Sequence, residues 1–118
     1  MRYLCMIFYD EQKLVALSGS EYEALIAEAV AYDEELRLGG HFVFAQALEP
    51  VQSATTVRVR AGKVSTIDGP FAETKEQLGG FVVVEARDLN EAIQLASRMP
   101  PARLGGVEVR PVKSFAIG

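Results

Sequence analysis

The chain has no tryptophan, one cysteine and one histidine among its 118 residues, and each scarcity removes a class of chemistry. Cys5 has no partner for an intramolecular disulfide, and no N-terminal signal pattern is seen, so a reducing, cytoplasmic setting is expected. One cysteine and one histidine cannot build a zinc site of ordinary composition, and carboxylates at calcium-loop spacing are missing, so neither a metal nor a cofactor is expected. A Gly-x-Gly-x-x-Gly turn, a Walker loop and a Gly-x-Ser-x-Gly elbow are absent too, which leaves nucleotide binding and serine hydrolysis without support. The apolar runs are far shorter than a membrane span. Basic residues are outnumbered, 12 against 16 acidic, for a formal charge of -4; that field repels polyanions and disfavours nucleic acid as a partner.

What is present suits one ordered domain over residues 1–118, with 49% hydrophobic and 24% charged residues. The run Arg2 to Tyr9 is dense in strand-favouring residues and too short for a stable helix, and it reads as a strand buried on both faces. Ser20 and Glu23 have capping-box spacing after a polar loop. From there Tyr22, Leu25, Ile26, Ala29, Val30, Asp33 and Leu36 recur at helical steps, an apolar stripe interrupted at Asp33, and Gly39-Gly40 supplies the stop. Residues 41 to 48 read as a second strand. Residues 56 to 60 alternate, Ala61-Gly62 can turn, and residues 64 to 67 return as a hairpin. Residues 80 to 86 form another apolar strand, and Asp88 caps a second helix with its stripe at Leu89, Ala92, Ile93, Ala96 and Met99. Pro100-Pro101 ends that helix, and residues 107 to 110 alternate as a last strand before a short C-terminal tail. Two strand-helix-strand units with right-handed crossovers around a hairpin predict an α+β, ferredoxin-like sandwich with both helices on one side of the sheet.

The opening strand does not alternate in polarity. Leu4, Met6 and Phe8 fill one face while Tyr3, Cys5, Ile7 and Tyr9 fill the other, and the strand at 80 to 86 behaves likewise. A helix-free sheet face this apolar is the size of an interaction surface, and a second copy is its economical cover. A homodimer is therefore expected, with a cavity between sheet, helix and partner able to hold a small organic ligand. Gln46, Arg58, Glu85, Glu108 and Arg110 interrupt that face. They either converge on a ligand or pair with one another at an interface rim.

The run from Asp68 to Gly80 is the most distinctive. Asp68 can cap through its carboxylate, Gly69 permits a positive φ and Pro70 suits a first helical position. A short helical turn is expected there, anchored to the sheet by Phe71 and Leu78, with Glu73, Thr74, Lys75 and Glu76 outward. This run, Asp68-Gly69-Pro70-Phe71 above all, together with Asp33-Glu34-Glu35-Leu36, Ala54-Thr55-Thr56-Val57-Arg58 and Val107-Glu108-Val109-Arg110-Pro111-Val112, resembles the YCII-related superfamily and its DGPF branch over nearly the whole chain. The resemblance implies a dimeric α+β barrel with a cleft near the dimer interface. Some relatives in the superfamily look like small lyases or dehydrochlorinases with a proposed His-Asp pair, and some DGPF members are encoded beside extracytoplasmic-function sigma factors. The superfamily's histidine lies on the first helix, where this chain has Glu21, Tyr22 and Glu23, so the pair does not carry over.

The candidate groups for cofactor-free acid-base chemistry are Asp68, Glu73 and His41, each with a plainer reading beside it. Asp68 serves as a helix cap, His41 as a surface residue after a Gly-Gly turn, and Glu73 as an exposed acid like Glu76 beside Lys75. Arg58, Glu85, Arg110, Gln46 and Thr74 are the candidate ligand contacts. Cys5, inside a predicted central strand, reads as an inert packing group. The alternative function is a non-catalytic accessory module that contacts a regulatory protein, which rests on the resemblance alone.

Overall fold

A computed structural model describes residues 1–114, and the end of the expected C-terminal tail lies outside these described residues. The chain runs β1 (Arg2–Tyr9), α1 (Glu11–Val15), α2 (Gly19–Leu38), β2 (Phe42–Ala47), β3 (Thr55–Arg60), β4 (Lys63–Asp68), β5 (Gln77–Glu85), α3 (Leu89–Ser97) and β6 (Gly105–Pro111), with 3-10 turns at Val51–Ser53 and Pro100–Leu104. The strands β2, β5, β1 and β6 form one antiparallel sheet in that order, and β3 and β4 form a separate two-stranded sheet. Each strand-helix-strand unit therefore skips over one strand to reach its partner, an α+β order compatible with a ferredoxin-like fold.

The inner layer follows the expected strand periodicity. Tyr3, Cys5 and Ile7 from β1 and Val82 and Val84 from β5 point toward the helices and are buried, and Tyr32 and Leu36 of α2, Ala92 and Ala96 of α3, and Met99 close over them. The Tyr32 hydroxyl donates to the Leu95 carbonyl at 2.6 Å, tying α2 to α3. Both helix starts are capped by an aspartate or serine with an acid three residues on, but the first cap differs from expectation. Ser18, not Ser20, accepts from the Glu21 amide, and the Glu21 carboxylate accepts from the Ser18 amide at 2.8 Å. The expected polar loop before it also holds the short helix α1, started by the Asp10 carboxylate accepting from the Gln12 amide.

The hairpin projects from this body. Its turn is made by Ala61 and Gly62, both at positive φ (51° and 75°). Val57, Val59 and Val64 on one face of the hairpin are all exposed. The radius of gyration, 16.0 Å, exceeds the roughly 13.5 Å of a compact chain of this length. The shortest dimension, 18 Å, leaves room for one sheet and one helix layer.

The expected helical turn after Asp68 does not form. Asp68 is the last residue of β4, paired with Thr55, so it caps nothing. Gly69 takes φ 126°, a conformation other residues resist, and turns the chain out of the hairpin. Its amide donates to the Ala54 carbonyl at 2.8 Å, and its own carbonyl accepts from the Thr56 hydroxyl. The following residues bend without helix, because Glu73, Thr74, Lys75 and Glu76 offer no apolar stripe to bury. Phe71, expected as an anchor, is 76% exposed, while Leu78 is taken up into β5.

Candidate functional site

The stripe of α2 does not pack uniformly. Near the C-terminal end Tyr32 and Leu36 seal it to the sheet, but over the first half Tyr22 and Ile26 remain 44% exposed. Between that half, α1, residues 45–50 and the sheet lies a half-open cavity of ≈ 830 Å³. Its wall is mostly apolar, from Ile7, Leu14, Leu25, Ile26, Ala29 and Leu48, and its polar groups include Tyr9, Glu11, Tyr22 and Asp33. This is the size and character of a small-molecule site.

Each polar group is placed by a local structural cause. Tyr9 ends β1 on the helix side, and its ring lies directly against Gly79 of β5, where any side chain would collide with it. Glu11 opens α1 and accepts the Val51 amide at 3.0 Å, which pins the 3-10 turn Val51–Ser53 beside the cavity. Tyr22 and Asp33 stand eleven residues apart on α2, about three full turns, and so share one face of the helix. Burial raises the Tyr9 phenol above its ordinary pKa, with the nearby Glu11 and Tyr22 adding to the effect. Burial likewise raises the Asp33 carboxyl, which Arg37 only partly offsets. Burial makes the Asp33 carboxyl the more basic and keeps the Tyr9 phenol protonated, able to donate a hydrogen bond.

Most residues expected at the site lie elsewhere. Of the eight candidates, Gln46 alone lines the cavity. His41 sits at the junction of α2 and β2. Its Nδ1 is 2.8 Å from the Glu85 carbonyl, and its own carbonyl accepts the Glu85 amide at 2.7 Å, so it fastens β2 to the end of β5. Glu85 receives the amino group of Met1 at 3.1 Å and Arg2 at 3.3 Å. Those contacts, the amino group's hydrogen bond first, hold its carboxyl below the ordinary range. Arg110 pairs with Glu108 at 3.4 Å along β6. Arg58 does not join them. It is on the separate hairpin, with its guanidinium 4.8 Å from the centre of the Phe71 ring. Asp68 ends that same hairpin, and Glu73 is exposed in the bend beyond it. The Thr74 hydroxyl donates to the Glu76 carbonyl at 2.6 Å, and Thr74 borders a second, shallower groove with Phe8, Lys13 and Glu108.

Among the described residues no group of three or more His, Cys, Asp or Glu side chains is arranged to hold a metal ion. No helix there is long and apolar enough to cross a membrane. Cys5 is fully buried in β1, and desolvation pushes its thiol up to about 11, so it is a packing group at neutral pH.

An uncharacterised protein of Rhizobium meliloti (strain 1021) is 34% identical over 120 residues, covering 100% of this chain and 97% of its own length. The YCII-related domain matches residues 1–116, and the chain belongs to that family.

Proposed function

We propose that the protein is a cytoplasmic homodimer of the DGPF branch that binds a small organic molecule in the cavity beneath α2 and performs cofactor-free, lyase-like chemistry on it. The observation that carries this reading is the cavity itself, apolar over most of its wall, with Tyr9, Tyr22 and Asp33 among the polar residues that line it. In this reading Asp33 takes a proton from a carbon beside a carbonyl, and the C–H electron pair becomes a new C=C bond. The leaving group departs with its own pair and takes the proton of the Tyr9 phenol; solvent then carries the proton from Asp33 back to Tyr9. Tyr22, about three turns from Asp33 along α2, lines another part of the wall and contacts the remainder of the molecule. The partner copy covers the open face of the four-stranded sheet, where Leu4, Met6, Phe8, Phe81 and Val83 stand half-buried and Phe44 is 50% exposed.

Replacing Ala29 with Trp tests the cavity, because Ala29 faces it from the middle of α2 and a bulky ring there fills it. Titration of 1-naphthylmethanol, followed by NMR shifts of the Leu25 and Ile26 methyl groups, is expected to show saturable binding to the native chain. In Ala29→Trp that binding is lost while the far-ultraviolet circular dichroism is kept. Equal binding by both would sink the reading. The second reading, an accessory module that contacts a regulatory protein, is favoured by the projecting hairpin, which exposes Val57, Val59 and Val64 on one face.

A further inference from the structure

The charges around the cavity are one-sided. Among the described residues its wall holds Glu11, Asp33 and Glu49, and no lysine, arginine or histidine. The bases nearby are spent elsewhere. Arg37 is bound to Glu34 at 2.6 Å and lies over the Phe42 ring, Arg103 holds Glu28, Arg98 holds Glu35, and Lys13 of α1 borders the other groove. Within the cavity Glu11 uses one carboxylate oxygen to accept the Val51 amide, and Asp33 sits half-buried, its desolvation only partly offset by the charge of Arg37.

A carboxylate facing an apolar cavity whose wall holds no cation is incompletely compensated, and an incoming cation relieves that cost while an incoming anion adds to it. We infer that this cavity selects an organic cation, a protonated amine on an apolar body, over an organic carboxylate. The ammonium group lies toward a carboxylate of the wall, Glu11 or Asp33, and the apolar body lies along Ile7, Ile26 and Leu48. The inference rests on the reading of the cavity as a small-molecule site and adds the charge of what enters it.

Three probes of one shape separate the two claims: 1-naphthylmethylamine, 1-naphthylmethanol and 1-naphthoate, each titrated at pH 7 against the native chain by the same methyl shifts. The amine is expected to bind about tenfold more tightly than the alcohol, and the carboxylate more weakly than either, the scale set by a unit charge within reach of a partly exposed carboxylate. In a Glu11→Gln, Asp33→Asn double variant the ratio of amine to alcohol affinity falls toward one. Naphthoate binding as tightly as the amine overturns the charge inference and leaves the small-molecule reading standing, and so does an amine preference that survives the double variant. Failure of all three probes overturns both. The ranking in the native chain decides the matter even where the double variant does not fold.

Discussion

Val84 and Val83 are neighbours on β5 and differ only in which way they point. Val84 is completely enclosed against Tyr3, Tyr32 and Leu36 in the core, while Val83 faces the open side of the sheet across from Leu4 and Phe44. Alternation along a strand normally turns such a step into a change from apolar to polar. Here both sides stay apolar. The helix-side face obtains its stability within one chain, and the open face has apolar surface to gain from a second. The two sides also treat charge differently. On the open face Glu85 and Glu108 each have a cation within 3.4 Å, as suits a rim, whereas the helix side leaves Asp33 facing a cavity with its carboxyl raised.

A matched pair of substitutions tests this comparison most severely. Val84→Asp buries an unpaired carboxyl and is expected to cost about 4 kcal/mol or more, enough to unfold a marginally stable domain. Val83→Asp is expected to keep the helical circular dichroism and to convert the proposed dimer to a monomer in sedimentation at micromolar concentration. If Val83→Asp sediments like the native chain, the open face is not the dimer surface.

Much of the architecture was legible because the signals were periodic and unopposed. The eight residues of β1, the Asp88 cap of α3 and the strand order all follow from apolar spacing and from short connections. The first helix cap was ambiguous for a local reason: Ser18-Gly19-Ser20-Glu21 and Ser20-Glu21-Tyr22-Glu23 both satisfy the capping-box spacing, and only the reciprocal bonds of Ser18 and Glu21 decide between them. The run after Asp68 misled because Asp-Gly-Pro is as good a turn out of a strand as it is a helix start. The site was half visible. Tyr22 and Asp33 stood in the stripe of α2, and a carboxyl interrupting an apolar helix face was the available signal. What hid their placement is the cavity between α2 and the sheet, a tertiary feature that helical spacing does not encode. Arg58 was misplaced for a similar reason, since alternation gives a residue's face but not which sheet the strand joins.

The alkaline range sharpens the comparison from the buried side. The Cys5 thiol is raised to about 11 from an ordinary value near 9.0, so the unfolded chain loses this proton first as pH rises. Its contribution is fully present below pH 9 and is lost between pH 9 and 11, amounting to about 2 to 3 kcal/mol. Tyr9 and Tyr32, also raised by burial, act in the same direction as pH rises past 10. Urea titrations of the native chain and of Cys5→Ala, compared at pH 8 and pH 10.5, are expected to show the steeper loss in the native chain. Parallel losses would place the thiol in contact with water.

Gly79 gives the smallest effect on stability and the most pointed one on the site. A methyl group added there would overlap the outer atoms of the Tyr9 ring, and these are the free end of a side chain rather than backbone. The ring therefore swings aside instead of forcing β1 from β5, and the cost is about 1 to 2 kcal/mol, at the mild end of overpacking. The space into which it can swing is the cavity, whose wall both residues share. Gly79→Ala is accordingly expected to lower the affinity for 1-naphthylmethanol out of proportion to its small shift in urea midpoint. In a Tyr9→Ala background the overlap is gone, so Gly79→Ala should there cost no further stability and leave uptake of the probe as it is in Tyr9→Ala alone. A coupling of this kind arises only between residues in contact, and simple addition of the two single effects would mean that the ring does not rest on Gly79 in solution.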